Sequence, residues 1–142
     1  MSGGTVEFLL VQDDPAEVLF LRETWELHKV ANPVHAVRDV RQARAYLDRE
    51  PPYETARPPD VVLLDLNLPG HDGRRLLRQL RERPDTAHTP VIILVDSSAA
   101  EHIVRAEFLP VQGYATKPVD FACLTAIVRG LESTAFMVLR SA

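Results

Sequence analysis

The sequence has a single cysteine, no long apolar run and no basic start. Cys123 is the only cysteine among 142 residues, which excludes an intrachain disulfide and a metal site built from a cysteine cluster. No uninterrupted apolar run approaches the roughly 20 residues that a membrane-spanning helix needs, and the N-terminus lacks the basic start of a secretory signal. We therefore expect a cytoplasmic protein with no membrane partner.

Basic residues are in the minority as well. The chain has 20 acidic and 16 basic side chains and a formal charge of −4, whereas nucleic-acid-binding domains usually carry a basic excess. We therefore expect no nucleic acid as a partner. Hydrophobic residues make up 46% of the sequence, which is enough for one core but, at this length, not for two domains. Residues 1–142 are therefore predicted to form a single domain.

Short apolar runs alternate with segments of helical periodicity along the chain. The apolar runs predict five strands, at residues 6–11, 34–37, 61–64, 91–95 and 113–116. The periodic segments predict helices at about residues 15–29, 40–48, 72–83 and 99–108, with a fifth helix and a tail in residues 119–142. This alternation is typical of a three-layer α/β fold, a flavodoxin-like (βα)5 arrangement in which a doubly wound, five-stranded parallel sheet has helices on both faces.

Polar side chains follow four of these strands at their carboxyl ends. They are Gln12, Asp13 and Asp14, then Asp65 and Asn67, then Asp96, Ser97 and Ser98, and finally Lys117. The carboxyl ends of parallel strands meet at one edge of a sheet, so we expect these side chains to lie close together. Carboxylates from two strand ends can bind Mg²⁺. An aspartate placed there can act as a nucleophile towards phosphorus, with the metal and a lysine neutralising charge.

Four motifs, in this order and spacing, resemble the receiver domain of two-component response regulators: FLLVQDDPAE, VVLLDLNLPGHDG, PVIILVDSS and GYATKP. The match covers nearly the whole chain. The resemblance implies that Asp65 is the phosphoacceptor and that Mg²⁺ is bound by Asp13, by Asp65 and by the backbone carbonyl of Asn67. It also implies that Lys117 contacts the phosphoryl group and that Tyr114 is the aromatic residue of the switch. The bond from Lys117 to Pro118 is similar to one that is often cis in the family.

Within the family, the proline-rich loop before the third strand and the DLNLPGHDGRRLL segment are similar to single-domain regulators that partner bacterial phytochrome histidine kinases. The resemblance therefore implies a sensor histidine kinase, of the phytochrome type, as a partner. Residues 119–142 are used by the last helix and its tail, so we expect no output domain and no enzyme activity. Phosphorylation by small donors and loss of phosphate by hydrolysis are compatible with this expectation.

Three positions depart from the family pattern. Gln12 stands where the first of two acidic residues is usual, which leaves Asp13 as the second. A register that pairs Asp13 with Asp14 stays open, although it shifts the strand by one residue and exchanges its faces. In either register, Gln12 or Asp14 can contact the metal through a water molecule.

The other two departures follow the fourth strand. Val95 stands where the family has a Thr or Ser whose hydroxyl contacts the phosphoryl group, and Asp96 stands where a small residue is usual. A valine cannot make that contact, and a second carboxylate would repel the incoming phosphoryl group or alter its hydrolysis. Ser97 or Ser98 could supply the missing hydroxyl.

The last predicted helix is apolar, with few charges to form a solvent-exposed face. Its end carries an apolar cluster beyond what one sheet needs, formed by Phe136, Met137, Val138 and Leu139. An exposed apolar patch of this kind usually marks an interface. The sequence therefore predicts a homodimer that uses this end of the chain.

Together these features predict a receiver of a two-component phosphorelay. It would accept a phosphoryl group on Asp65 from a histidine kinase and signal by dimerisation or partner binding. The alternative is a degenerate receiver that acts as an interaction module without phosphorylation. The departures at Gln12, Val95 and Asp96 favour that alternative.

Overall fold

The computed structural model describes residues 6–30 and 32–117, together with residues 119, 122 and 125. The described strands are β1 (Phe8–Val11), β2 (Val34–Val37), β3 (Val61–Asp65), β4 (Val91–Val95) and β5 (Gly113–Thr116). They form one sheet of order β2-β1-β3-β4-β5, and every neighbouring pair is parallel. The predicted doubly wound, five-stranded parallel sheet is therefore confirmed.

Four α-helices in the described part of the chain connect these strands. They are α1 (Pro15–Leu27), α2 (Val40–Leu47), α3 (Asp72–Glu82) and α4 (Ser98–Arg105), and a 3-10 turn (Pro69–His71) precedes α3. None of them is long and apolar enough to cross a membrane. The predicted fifth helix, the apolar cluster at residues 136–139 and the bond to Pro118 lie outside the described residues.

Both faces of the sheet are covered, which explains why its inner strands β1, β3 and β4 are almost continuously apolar. The strand residues that pack with α2, α3 and α4 are Leu9, Val11, Val37, Val62, Leu64, Val91, Ile93 and Val95. The strand residues that share the other core with α1 are Phe8, Leu10, Val61, Leu63, Ile92, Leu94 and Ala115. From α1, Leu21 and Trp25 enter this second core, and Trp25 meets Phe8 edge-on with ring centroids 5.3 Å apart.

Three predicted boundaries differ from the structure by two or more residues, each for a local reason. Lys29 and Phe108 have φ values of 53° and 52°, a left-handed conformation that stops a helix; α1 therefore ends at Leu27 and α4 at Arg105, each earlier than expected. The first strand begins two residues late, at Phe8. Its predecessor Glu7 donates its backbone N–H to the Asp60 side chain at 2.8 Å instead of to a neighbouring strand.

The register of the sheet aligns the carboxyl ends of four strands. The residue pairs at this edge are Val11 with Leu64, Asp65 with Leu94, and Val95 with Thr116. The polar residues that end or follow these strands, Gln12, Asp65, Asp96 and Lys117, are therefore neighbours across the edge.

Gly73 allows α3 to lie against the backbone that leaves β3. A Cβ atom built at Gly73 would lie 3.0 Å from Leu66 Cα and 3.1 Å from the carbonyl oxygens of Asp65 and Leu66. These neighbours are backbone atoms, so they cannot move aside as a side chain could. The close approach places the first turn of α3 directly behind the residue that ends β3.

We expect Gly73→Ala to destabilise the protein. Alanine normally stabilises a helix relative to glycine by about 1 kcal/mol, but overpacking against fixed backbone costs about 1–3 kcal/mol. The free energy of unfolding should therefore fall by up to about 2 kcal/mol, as measured by urea denaturation. A higher free energy of unfolding would contradict the close approach described for Gly73.

Candidate functional site

Asp65 ends β3 as a buried carboxylate with two partners. It is 2% exposed. Its Oδ1 accepts a hydrogen bond from the Asn67 backbone N–H at 2.8 Å, and its Oδ2 accepts one from Lys117 Nζ at 3.0 Å. A backbone amide and a cation thus hold both oxygens in fixed directions, which is how a carboxylate is oriented for attack.

Lys117 lies among three carboxylates. Its Nζ is 2.8 Å from Asp96 Oδ1, 3.0 Å from Asp65 Oδ2 and 3.6 Å from Glu17 Oε2. Burial favours the neutral amine, but the hydrogen bonds to Asp96 and Asp65 and the charge of Glu17 outweigh it, so the pKa of Lys117 is raised above its ordinary value. The ammonium group is therefore fully charged at neutral pH. The backbone N–H of Lys117 donates to the carbonyl of Val95 at 2.7 Å, which anchors the lysine beside β4.

Asp96 forms a bridge over the edge of the sheet. One carboxylate oxygen accepts from Lys117 Nζ, and the other accepts from the side-chain amide of Asn67. Unlike Asp65, the Asp96 side chain is 62% exposed. The structure thus brings together the residues that were predicted to lie close to one another, which are Asp65, Asn67, Asp96 and Lys117. Asp96 is a further ion-pair partner of the lysine.

The residues after β1 divide into a buried and an exposed group. Gln12 is 3% exposed, and its side-chain oxygen accepts from the Asp14 backbone N–H at 3.0 Å. Asp14 is the N-cap of α1, and its carboxylate accepts from the Ala16 N–H at 2.9 Å. Asp13, between them, is exposed. Because Asp14 serves the helix, the geometry supports the pairing of Gln12 with Asp13.

Glu17 belongs to the site, although sequence reasoning missed it. Its carboxylate lies 3.6 Å from Lys117 Nζ. Burial raises the pKa of Glu17, Lys117 opposes that change, and the charges of Asp65 and Asp14 add to it. The available signal was ambiguous, because a glutamate three residues after the N-cap Asp14 is also the pattern of a helix capping box.

The switch region places Tyr114 beside a cation. Tyr114 is half-buried on β5, and the Arg105 guanidinium lies 4.5 Å from the centroid of its ring. Arg105 is itself paired with Glu101 at 2.8 Å. Burial raises the pKa of the Tyr114 hydroxyl, and the nearby Arg105 opposes this shift.

Of the two serines that follow Val95 and β4, Ser97 uses its hydroxyl to cap α4, whereas Ser98 is exposed. Val95 is 2% exposed and belongs to the core. The Ser97 hydroxyl is the N-cap of α4 and accepts from the Ala100 N–H at 3.0 Å. Ser98 is exposed and begins α4. The Ser97 hydroxyl is thus already engaged by the helix that it starts.

The oxygen atoms at this edge fit a hard divalent cation. Within the described residues, no three side chains of His, Cys, Asp or Glu form a metal site by themselves. The neighbouring ends of β1 and β3 instead offer the carboxylates of Asp13 and Asp65 and the carbonyl of Asn67. Mg²⁺ needs only one or two carboxylates and completes its shell with water and phosphoryl oxygens. The donor set therefore fits such an ion.

These features define a class of protein: a flavodoxin-like α/β domain with a buried aspartate and a lysine paired at the carboxyl edge of its sheet. Residues 8–129 match the family model described as the response regulator receiver domain. The chain belongs to this family and is a response regulator of two-component signalling.

Three relatives show how the similarity extends along the chain. Response regulator Rcp1 of Synechocystis sp. is 33% identical over 125 residues, which is 88% of this chain and 85% of that protein. A structure of the Mn²⁺-bound form of Rcp1 superimposes with a TM-score of 0.68 at 30% identity. This superposition covers 93% of this chain and 99% of the other chain. The bacteriophytochrome response regulator RtBRR has a TM-score of 0.79 at 32% identity, covering 93% and 82% of the two chains. The phosphorylated cyanobacterial phytochrome response regulator RcpA has a TM-score of 0.70 at 33% identity, covering 94% and 99%.

We expect Lys117 and Asp65 to be energetically coupled. Lys117→Ala should lower the free energy of unfolding by about 1–3 kcal/mol, because it leaves the buried Asp65 carboxylate without its cation. The same change should cost less in an Asp65→Asn background, where the charge is already gone. Urea denaturation of the wild type, both single variants and the double variant measures the coupling. Strictly additive losses would show that the pair does not stabilise the fold.

Proposed function

We propose that this chain accepts a phosphoryl group on Asp65 from the phosphohistidine of a sensor histidine kinase. The observation that carries this proposal is the buried Asp65 carboxylate, whose two oxygens are held by the Asn67 amide and by Lys117. An oxygen of Asp65 attacks phosphorus, the P–N bond of the donor breaks, and the imidazole nitrogen takes the electron pair and then a proton. Lys117, which stays charged, neutralises the phosphoryl oxygens as they arrive.

The proposed cofactor is Mg²⁺. Asp13, Asp65 and the Asn67 carbonyl would hold it, and Gln12 or Asp14 would contact it through water. When bound, the ion neutralises negative charge on the transferring group. Gln12 contributes no charge to this set, although it is buried at the strand end. We therefore expect weaker Mg²⁺ binding than an acidic residue at this position would give.

The proposed partners follow from the relatives. The similarity to Rcp1 and to the phytochrome response regulators RtBRR and RcpA supports a phytochrome-type histidine kinase as the phosphoryl donor. We also propose a homodimer that forms through the apolar cluster of Phe136, Met137, Val138 and Leu139. We propose that the protein is located in the cytoplasm. We further propose that small donors can phosphorylate it and that the aspartyl phosphate is hydrolysed slowly.

A second candidate function is an interaction module that works without phosphorylation. The contacts of Asp96 with Lys117 and Asn67 favour it, because this carboxylate occupies groups that a phosphoryl oxygen would need. The core position of Val95 favours it as well, because valine cannot report a phosphoryl group through a hydroxyl. The two candidates differ in one measurable property, the ability of Asp65 to form a phosphoryl or beryllofluoride adduct.

We expect phosphoramidate with Mg²⁺ to label the wild type and beryllofluoride to bind it. Asp65→Asn should abolish both results, because an amide cannot serve as the nucleophile. Asp85→Asn is the matched control, since Asp85 is also ion-paired but to Arg83, outside the site. Phosphoprotein gels and intact mass spectrometry measure the label. A wild type without label or adduct, or equal labelling of Asp65→Asn, would favour the interaction module.

We expect Gln12→Glu to raise the affinity for Mg²⁺ by about threefold to tenfold, because it adds a carboxylate beside the proposed ligands. The glutamate can still accept the hydrogen bond from the Asp14 N–H that Gln12 accepts now. Isothermal titration with MgCl₂ measures the affinity, and Leu27→Glu, which adds one carboxylate at the exposed far end of α1, controls for the change of net charge. An unchanged dissociation constant would place Gln12 outside the reach of the metal.

A further inference from the structure

Asp96 occupies Lys117, the proposed contact of a phosphoryl group on Asp65, and also binds the nearby side-chain amide of Asn67. Its carboxylate is 2.8 Å from Lys117 Nζ, nearer than the 3.0 Å of Asp65 itself. Its other oxygen binds the side-chain amide of Asn67. A carboxylate and a phosphoryl group share the same kind of oxygen acceptor, so both would compete for one ammonium group and one amide.

The charges around Lys117 indicate which carboxylate must move away from the lysine when a phosphoryl group arrives. Three carboxylates, those of Asp65, Asp96 and Glu17, surround a single cation. A phosphoryl group would add further negative charge, and like charges held close together are strongly unfavourable. Asp65 is the acceptor and its side chain is 3% exposed, and that of Glu17 is 34% exposed. The Asp96 side chain, at 62% exposed, has the freest path into solvent.

We propose that Asp96 is a positioning residue that acts as an internal competitor of the phosphoryl group. In the unphosphorylated protein it holds Lys117 and Asn67, and it must leave both before the phosphoryl oxygens can take its place. The inference rests on the proposed phosphorylation of Asp65 and adds a kinetic property to it. Asp96 slows the loading of Asp65 and weakens the binding of phosphoryl analogues.

The size of the effect follows from the exposure of Asp96. A contact between an exposed acid and a lysine is worth little in water, and a hydrogen bond to a charged group is worth somewhat more. Removing the competitor should therefore speed loading and tighten analogue binding by about threefold to tenfold. A purely structural role would give the opposite sign, because damage to the site would slow loading.

The test compares Asp96→Ala, Asp96→Asn and Asp96→Glu with the wild type. Each is incubated with phosphoramidate and saturating Mg²⁺, in which the donor P–N bond breaks as Asp65 is loaded and ammonia leaves. The initial rate of labelling and the apparent dissociation constant for beryllofluoride are measured. Glu54→Gln controls for removing one exposed negative charge, since Glu54 lies in the loop between α2 and β3, away from the carboxyl edge. Asp65→Asn/Asp96→Ala is the blank.

The expected result is faster loading and tighter beryllofluoride binding for Asp96→Ala and Asp96→Asn, with Asp96→Glu close to the wild type and Glu54→Gln unchanged. Loading of Asp96→Ala in the absence of any loading of the wild type would also support the competitor, while overturning phosphorylation as the function of the natural sequence. Equal or slower loading of Asp96→Ala and Asp96→Asn would overturn the inference alone. Absence of loading in every protein would overturn the proposed function, and with it the inference.

Discussion

The ion pair between Lys117 and Asp65 is the interaction on which the carboxyl edge of the sheet depends. A buried carboxylate is strongly disfavoured unless a cation and hydrogen bonds compensate it, and Asp65 is almost completely buried. Lys117 reaches Asp65 because β5 pairs with β4 in a register that lets the Lys117 N–H donate to the Val95 carbonyl. The register of the sheet therefore also determines which cation compensates the charge of Asp65.

Negative charge is concentrated at this edge and is not spread evenly over the chain. The formal charge of −4 is modest, yet Asp65, Asp96 and Glu17 all lie near one ammonium group. That excess keeps Lys117 protonated against the effect of burial. Burial raises the pKa of Glu17, and the charges of Asp65 and Asp14 raise it further. The same excess gives a physical reason for the proposed divalent cation, because Lys117 is a single positive charge among these three carboxylates.

Patterns of apolar residues predicted the fold well because the inner strands β1, β3 and β4 are buried on both faces. The strands at residues 34–37, 91–95 and 113–116 agree with the structure. Boundaries were less predictable where one side chain or one dihedral angle decides them, as with Asp60 at the start of β1 and Phe108 beyond α4. The site was predictable as a set of strand-end residues. Glu17 was not, because its spacing from Asp14 also fits a helix cap, and the contact of Asp96 with Asn67 depends on side-chain directions that a sequence does not show.

The packing of Trp25 has a practical consequence for spectroscopy. It is the only tryptophan of the chain, its ring packs on Phe8 at the beginning of β1, and its indole N–H donates to the Asn32 carbonyl at 2.9 Å. Both partners lie at the amino ends of the strands, across the sheet from Asp65 and Lys117. Intrinsic tryptophan emission will therefore follow the unfolding of the core and respond little to events at the carboxyl edge of the sheet. It can thus report unfolding separately from changes at the site.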